Sequence, residues 1–205
     1  MNKNAITVII FDWGDVLTKK DANESLFRFL KTSFEIDQKE LMIVLEDFNF
    51  ALNPKTKTEK EFWNEFAIKK NILLPPNWFE ILEKEKINAV TDKLDLNMIN
   101  FVTDLKSKGY RVVIFSNIIE EMATLIQKAG HYDYFDDAIL SYDIGFRKPH
   151  PKAYDILLSK LKVPPNQCLF IDDLEINIKA CQKKGIHGIV FKSLEKLKNE
   201  IQKFL

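Results

Sequence analysis

Five short runs of Val, Ile, Leu and Phe constrain the fold of this chain most: Ile6–Phe11, Arg111–Phe115, Ala138–Ser141, Cys168–Ile171 and His187–Phe191. Each is apolar nearly throughout. A strand with one wet face alternates apolar and polar residues, whereas a strand covered on both faces does not. Between the later runs lie helical patterns at Ile119–Gly130, Ala153–Leu161 and Asn177–Gly185. Strands alternating with helices predict an α/β fold, a doubly wound parallel sheet in three layers, α/β/α. Leu194, Leu197, Ile201 and Phe204 predict a closing amphipathic helix capped by Ser193.

The interval between the first two runs breaks this rhythm. From Asp21 to Lys93 the pattern is helical almost throughout. Leu41, Val44, Leu45, Phe48 and Leu52 share one helical face; Phe62, Trp63, Phe66 and Ala67 share a second; Trp78, Phe79 and Leu82 share a third. Asn53-Pro54 and Pro75-Pro76 separate these helices. A plain crossover between parallel strands needs only one helix. The pattern therefore predicts a core domain from residues 1–18 and 97–205, with an inserted helical subdomain at 19–96. The aromatic stripes read as the core of that subdomain.

Lys+Arg and Asp+Glu are 30 each, a formal net charge of zero, so nothing in the balance favours nucleic acid or a membrane surface. The first apolar run is too short to span a bilayer, ends at a charged Asp12, and precedes no small-residue cleavage site. Cys168 and Cys181 lie in apolar or helical context without metal-ligand spacing, which predicts buried reduced thiols and a cytoplasmic setting.

Four places carry candidate chemistry. Asp12, with Gly14 and Asp15, follows the first run; Ser116-Asn117 follows the second; Arg147-Lys148-Pro149 follows the third; Asp172-Asp173, with Asn177 beyond, ends the fourth. Taken singly, the first reads equally as a strand end, the second as turn chemistry and the third as a solvated basic loop. The paired acids are harder to dismiss, because adjacent carboxylates at the end of a buried strand repel each other and resist desolvation. In an open parallel sheet the strand ends converge on one crevice. Two unit charges ~4 Å apart interact by about 4 kcal/mol at an effective dielectric near 20, so Asp12, Asp172 and Asp173 call for cations there. An oxygen-loving magnesium ion together with Lys148 offsets them.

The order Asp12-x-x-x-Val16-Leu17, Ser116-Asn117, Lys148-Pro149 and Asp172-Asp173-x-x-x-Asn177 resembles the four motifs of the haloacid dehalogenase-like superfamily. The resemblance runs from about Ile6 to Phe191, and the helical insert sits where that superfamily places its C1 cap. Within the superfamily the chain is most similar to the small sugar-phosphatase-like branch, in which Asp-x-Gly opens the first motif. The resemblance implies a magnesium-dependent phosphomonoester hydrolase acting on a small phosphorylated metabolite, as a monomer or homodimer. It implies that Asp12 is the nucleophile and forms an aspartyl-phosphate. It also implies that the metal is held by Asp12, the carbonyl of Gly14 and Asp173, with Asp172 and Asn177 behind them. Ser116 and Asn117 would cradle phosphate, and Lys148 would stabilise charge on the transferring group.

One position departs from the pattern. Most phosphatases of the family carry an aspartate two residues after the nucleophile, as general acid and base; here that residue is Gly14. Such help is typically worth 10²–10⁴-fold. All three histidines, His131, His150 and His187, and all the tyrosines lie outside the insert. The substitute is then Asp15, a carboxylate or lysine of the insert, or water. Lys19 and Lys20 flank the first hinge, within reach of an anionic substrate, and the second hinge falls near Asp92–Leu96. Two other readings stay open: a dehalogenase, against which the paired acids argue, and a catalytically impaired phosphate binder, for which Gly14 argues.

Overall fold

The computed structural model describes residues 5–19, 22–51, 57–90 and 93–205, with the side chains of 46–51 outside that description. β1 (Val8–Phe11) is followed by α1 (Glu24–Ser33), α2 (Gln38–Ala51), α3 (Glu59–Lys70) and α4 (Trp78–Val90). Next come α5 (Leu96–Ser107), β2 (Arg111–Ser116), α6 (Glu120–Lys128), β3 (Asp137–Leu140) and α7 (Ser141–Ile144). The chain ends with α8 (Pro151–Leu161), β4 (Cys168–Asp172), α9 (Glu175–Gln182), β5 (His187–Val190) and α10 (Leu194–Ile201). Two compact units result, one of Met1–Lys20 with Lys93–Leu205 and one of Asp21–Asp92.

The first unit is a five-stranded parallel sheet in the order β3-β2-β1-β4-β5, flanked by helices. β1 is central, and Ile9, Ile10 and Phe11 are fully buried. Burying each such side chain contributes about 1.5–3 kcal/mol. On one face Val8 and Ile10 join Phe115 and Phe170, Tyr154 and Leu157 of α8, and Ile178 and Cys181 of α9 in a single apolar cluster. α5 packs along β2, and its Met98, Val102 and Leu105 are buried outside that cluster, on the opposite face. Gly188 of β5 permits close packing on α9, because a Cβ there would come within 2.7 Å of Ile178. Both thiols are free and buried.

The edges differ from the sequence expectation. β5 is only partly buried, as an edge strand must be, and stops at Val190. β3 runs over Asp137–Leu140, one residue earlier than expected, because Asp137 pairs with Val113 in register and Ser141 turns out of the strand into α7. α9 begins at Glu175, two residues ahead of Asn177. Phe204 lies beyond α10, its ring 5.3 Å from that of His187, while Ser193 caps α10 as expected. Beside the first strand, Thr18 and Leu94 form an antiparallel bridge, and the N–H of Lys19 donates to the carbonyl of Lys93 at 2.8 Å. Leu52, Asn53-Pro54, Lys20 and Asp92 lie outside the described residues, as does the side chain of Phe48.

The second unit is built on its aromatic stripes. The rings of Phe34 and Trp63 stand 4.5 Å apart, with Phe66 and Trp78 edge-on to Phe34. α3 opens with a reciprocal cap between Thr58 and Glu61 and closes with Asn71 in the left-handed conformation. Lys86 of α4, almost wholly buried, reaches Glu59 of α3 at 2.5 Å and Glu83 at 2.9 Å. Burial alone would lower the Lys86 pKa, but Glu59 and Glu83 outweigh it and hold the ammonium above its ordinary value. Among the described residues, no helix is long and apolar enough to cross a membrane.

Candidate active site

The sheet register decides where the acids meet. Phe11 pairs with Ile114 on one side and Ile171 on the other, and the N–H of Asp12 still donates to the Ile171 carbonyl at 2.9 Å. One step past this pair, Asp12 and Asp172 stand side by side at the carboxyl ends of β1 and β4. That is the mouth of an open α/β sheet.

Lys148 joins them. Its side chain, 1% exposed, places Nζ 2.8 Å from Asp12 Oδ1 and 2.7 Å from Asp172 Oδ2. The rings of Phe115 and Phe170 lie 5.4 and 5.1 Å from the same nitrogen and turn their faces to the cation. Asp172 is fully buried and saturated: Oδ1 accepts from the N–H of Leu174 and from Asn177 Nδ2, and Oδ2 accepts from Lys148 and Asn177. Asn177 is itself held through its carbonyl, which accepts from the hydroxyl of Tyr154 at 2.9 Å.

Asp12 differs from Asp172. Its Oδ1 accepts both from Lys148 and from the Trp13 N–H, whereas Oδ2 takes no hydrogen bond from the described residues. Burial pushes the carboxyl up to about 7; Lys148 pulls the other way, and Asp172 adds to the rise. The Asp173 carboxyl is likewise raised by burial, then by Asp172 and Asp15. Oxygens of Asp12, Asp172 and Asp173 all lie within 4.8 Å of one another. Because the oxygens of Asp172 are spent on protein donors, the open ones belong to Asp12 and Asp173. An all-oxygen, excess-negative set of this kind suits a hard divalent cation such as magnesium.

The phosphate-cradle candidates divide. Ser116 ends β2, 4% exposed, and its hydroxyl makes no hydrogen bond among the described residues. The side chain of Asn117 is instead tied to Lys148. Its Nδ2 donates to the Lys148 carbonyl and its Oδ1 accepts from the Lys148 N–H, both at 2.8 Å. The next residue, Ile118, is gripped by Ser141, whose Oγ accepts from its N–H at 2.9 Å and donates to its carbonyl at 3.0 Å. Ser141 and Tyr154 were missed in sequence, where nothing local sets them apart: Tyr142-Asp143 follow the first, and Lys152 and Asp155 flank the second. Gly14 lies on the turn after Asp12, and a Cβ built there meets nothing within 4 Å. Asp15 is exposed, adopts a φ of 55°, and its N–H donates to Thr18 Oγ1 at 3.1 Å.

A doubly wound sheet with a buried lysine clamped between carboxylates at its mouth defines a class of carboxylate-centred α/β enzyme. Within that class the chain belongs to the haloacid dehalogenase-like hydrolase family, whose model matches residues 6–185. Bifunctional epoxide hydrolase 2 of Rattus norvegicus is 27% identical over 140 residues, covering 63% of this chain and 24% of that protein. D-ribitol-5-phosphate phosphatase of Bacteroides thetaiotaomicron is 29% identical over 101 residues, 46% of this chain and 48% of its own. The chain thus spans about a quarter of the first of these relatives and about half of the second. Among solved structures, a HAD-family enzyme of Bacteroides thetaiotaomicron in complex with magnesium and inorganic phosphate aligns with a TM-score of 0.71 at 20% identity, over 94% of this chain and 99% of that one. At that identity the likeness speaks for the fold.

Proposed function

We propose that this protein is a magnesium-dependent phosphomonoesterase for a small, sugar-phosphate-like metabolite, working through an aspartyl-phosphate at Asp12. The observation that carries the reading is Asp12, whose Oδ1 meets Lys148 while its Oδ2 takes no hydrogen bond from the described residues, in a cluster of three acids around one lysine. Kinship to a ribitol-phosphate phosphatase supports the substrate class.

Asp12, Asp173 and the carbonyl of Gly14 would hold magnesium, which when bound supplies Lewis-acid charge against the phosphoryl oxygens. A carboxylate oxygen of Asp12 attacks phosphorus; the phosphorus–ester bond breaks and its electron pair leaves with the alcohol oxygen. Lys148 offsets negative charge on the transferring group and keeps Asp12 oriented. Ser116 offers its hydroxyl to a phosphate oxygen. Asp172, saturated by Asn177 and Leu174, anchors Lys148 and does not react. Water then attacks the phosphorus of the acyl phosphate, releasing inorganic phosphate and restoring the Asp12 carboxylate. With glycine at position 14 the leaving alcohol takes its proton from water or from another group, so substrates with good leaving groups are favoured. The helical unit Asp21–Asp92, inserted between β1 and β2, we assign the role of substrate-selecting cap.

A panel of phosphate monoesters with magnesium tests this reading on wild type and Asp12→Asn. Turnover in wild type, lost with EDTA and lost in the variant, supports it. Binding of phosphate without turnover of any ester would favour the impaired-binder reading to which Gly14 points.

A further inference from the structure

The Lys148 ammonium is useful only where it sits, and the lysine lies on a loop, not on a strand or helix. Loops keep a side chain in place only if something fixes their backbone. Here the fixing group is Asn117. Its side-chain amide meets the N–H and the carbonyl of Lys148 with two hydrogen bonds of 2.8 Å. The pairing copies the one that a neighbouring strand would make. It also settles the orientation of the amide, since Oδ1 must face the N–H and Nδ2 the carbonyl. Ser141 holds the adjacent Ile118 by both its N–H and carbonyl, so the anchor does not drift with the loop that carries it.

We infer that the side chain of Asn117 is a positioning group, acting through the Lys148 backbone to set the ammonium between Asp12 and Asp172, rather than a phosphate ligand. The inference rests on the phosphatase reading above. Atoms misplaced by about 1 Å can lose about 100-fold in rate, so a loosened Lys148 affects turnover more than binding.

The test compares Asn117→Ala and Asn117→Asp with wild type, each also combined with Lys148→Met, using p-nitrophenyl phosphate as substrate and inorganic phosphate as inhibitor. Asn117→Ala is expected to lower kcat about 10- to 100-fold with KM and phosphate inhibition little changed. Asn117→Asp keeps the acceptor for the Lys148 N–H but sets an anion against its carbonyl; it is expected to fall as well, and it serves if the alanine variant does not fold. In the Lys148→Met background neither change is expected to cost more, because the lysine they position is gone. A rise in KM and in the phosphate inhibition constant with kcat preserved would overturn the inference and make Asn117 a phosphate ligand. So would a full additional loss in the Lys148→Met background. Absence of magnesium-dependent turnover in wild type would instead defeat the phosphatase reading, which separates the two failures.

Discussion

Two regions of this protein bury a lysine among carboxylates, and they do so to opposite ends. In the helical unit Lys86 reaches Glu59 and Glu83, and Glu83 is 44% exposed, so the second acid stays in water. At the sheet mouth Lys148 faces Asp12 and Asp172, 13% and 0% exposed, with Asp173 in the same cluster. The first arrangement is closed, since the buried charge has its partner. The second leaves Asp12 Oδ2 without a hydrogen bond among the described residues and holds the Asp12 carboxyl near 7, largely through burial. Buried charge alone therefore does not mark function. What marks it is buried charge whose balance is incomplete without something from outside.

The contrast is broken most forcefully at Asp12. Asp12→Asn should cut turnover on the order of 10⁴-fold or more while raising the melting temperature in metal-free buffer, because one unbalanced acid is gone. Lost stability instead would mean that Asp12 serves structure, as Glu59 does. Gly14 gives the next largest effect. Space is open there and the backbone conformation is ordinary, so Gly14→Asp should fold and raise kcat on alkyl phosphates by roughly 10²-fold. Unchanged rates would show that the proton already has a supplier.

The closed pair answers to different measurements. Lys86→Met removes the ammonium that Glu59 meets in the interior and should cost about 3–5 kcal/mol in chemical denaturation. Adding Glu59→Leu should return much of that loss, while kcat of the folded enzyme stays near wild type. A large fall in kcat would tie this pair to chemistry. The smallest effect follows from pH. Folded Asp12 titrates near 7 and unfolded Asp12 near 3.8, so its share of stability is present below 3.8 and lost as pH rises through about 7. In metal-free buffer the melting temperature should fall from about pH 5 to about pH 8, and magnesium should recover more at the higher pH because it needs the ionised carboxylate. Equal recovery at both would place the ion elsewhere.

The sheet was legible because both-face burial writes itself into uninterrupted apolar runs, and the meeting of Asp12 with Asp172 followed from parallel register. Less legible were contacts made by single polar atoms. Asn117 follows a strand in sequence, as a phosphate ligand would, yet its amide turns to the Lys148 backbone 31 positions away. Ser141 looked like the last residue of a strand; only folding brings its hydroxyl to Ile118. Glu59 and Lys86 sit on separate amphipathic helices, where a charge is normally solvated, and nothing local says that these two face inward. Strand ends were misplaced throughout the sheet, the start of central β1 by two residues and an end of each other strand by one, because an apolar run records burial and not where the pairing between strands begins or stops.

Phosphorylation of Asp12 decides between enzyme and binder. Wild-type protein turning over a small phosphate ester with magnesium can be quenched in acid, digested and mapped by mass spectrometry. A phosphoryl group on the Asp12 peptide, removed by hydroxylamine and missing when magnesium is withheld, is the predicted result. Turnover with no phosphoryl on Asp12, or turnover that persists in Asp12→Asn, would contradict it.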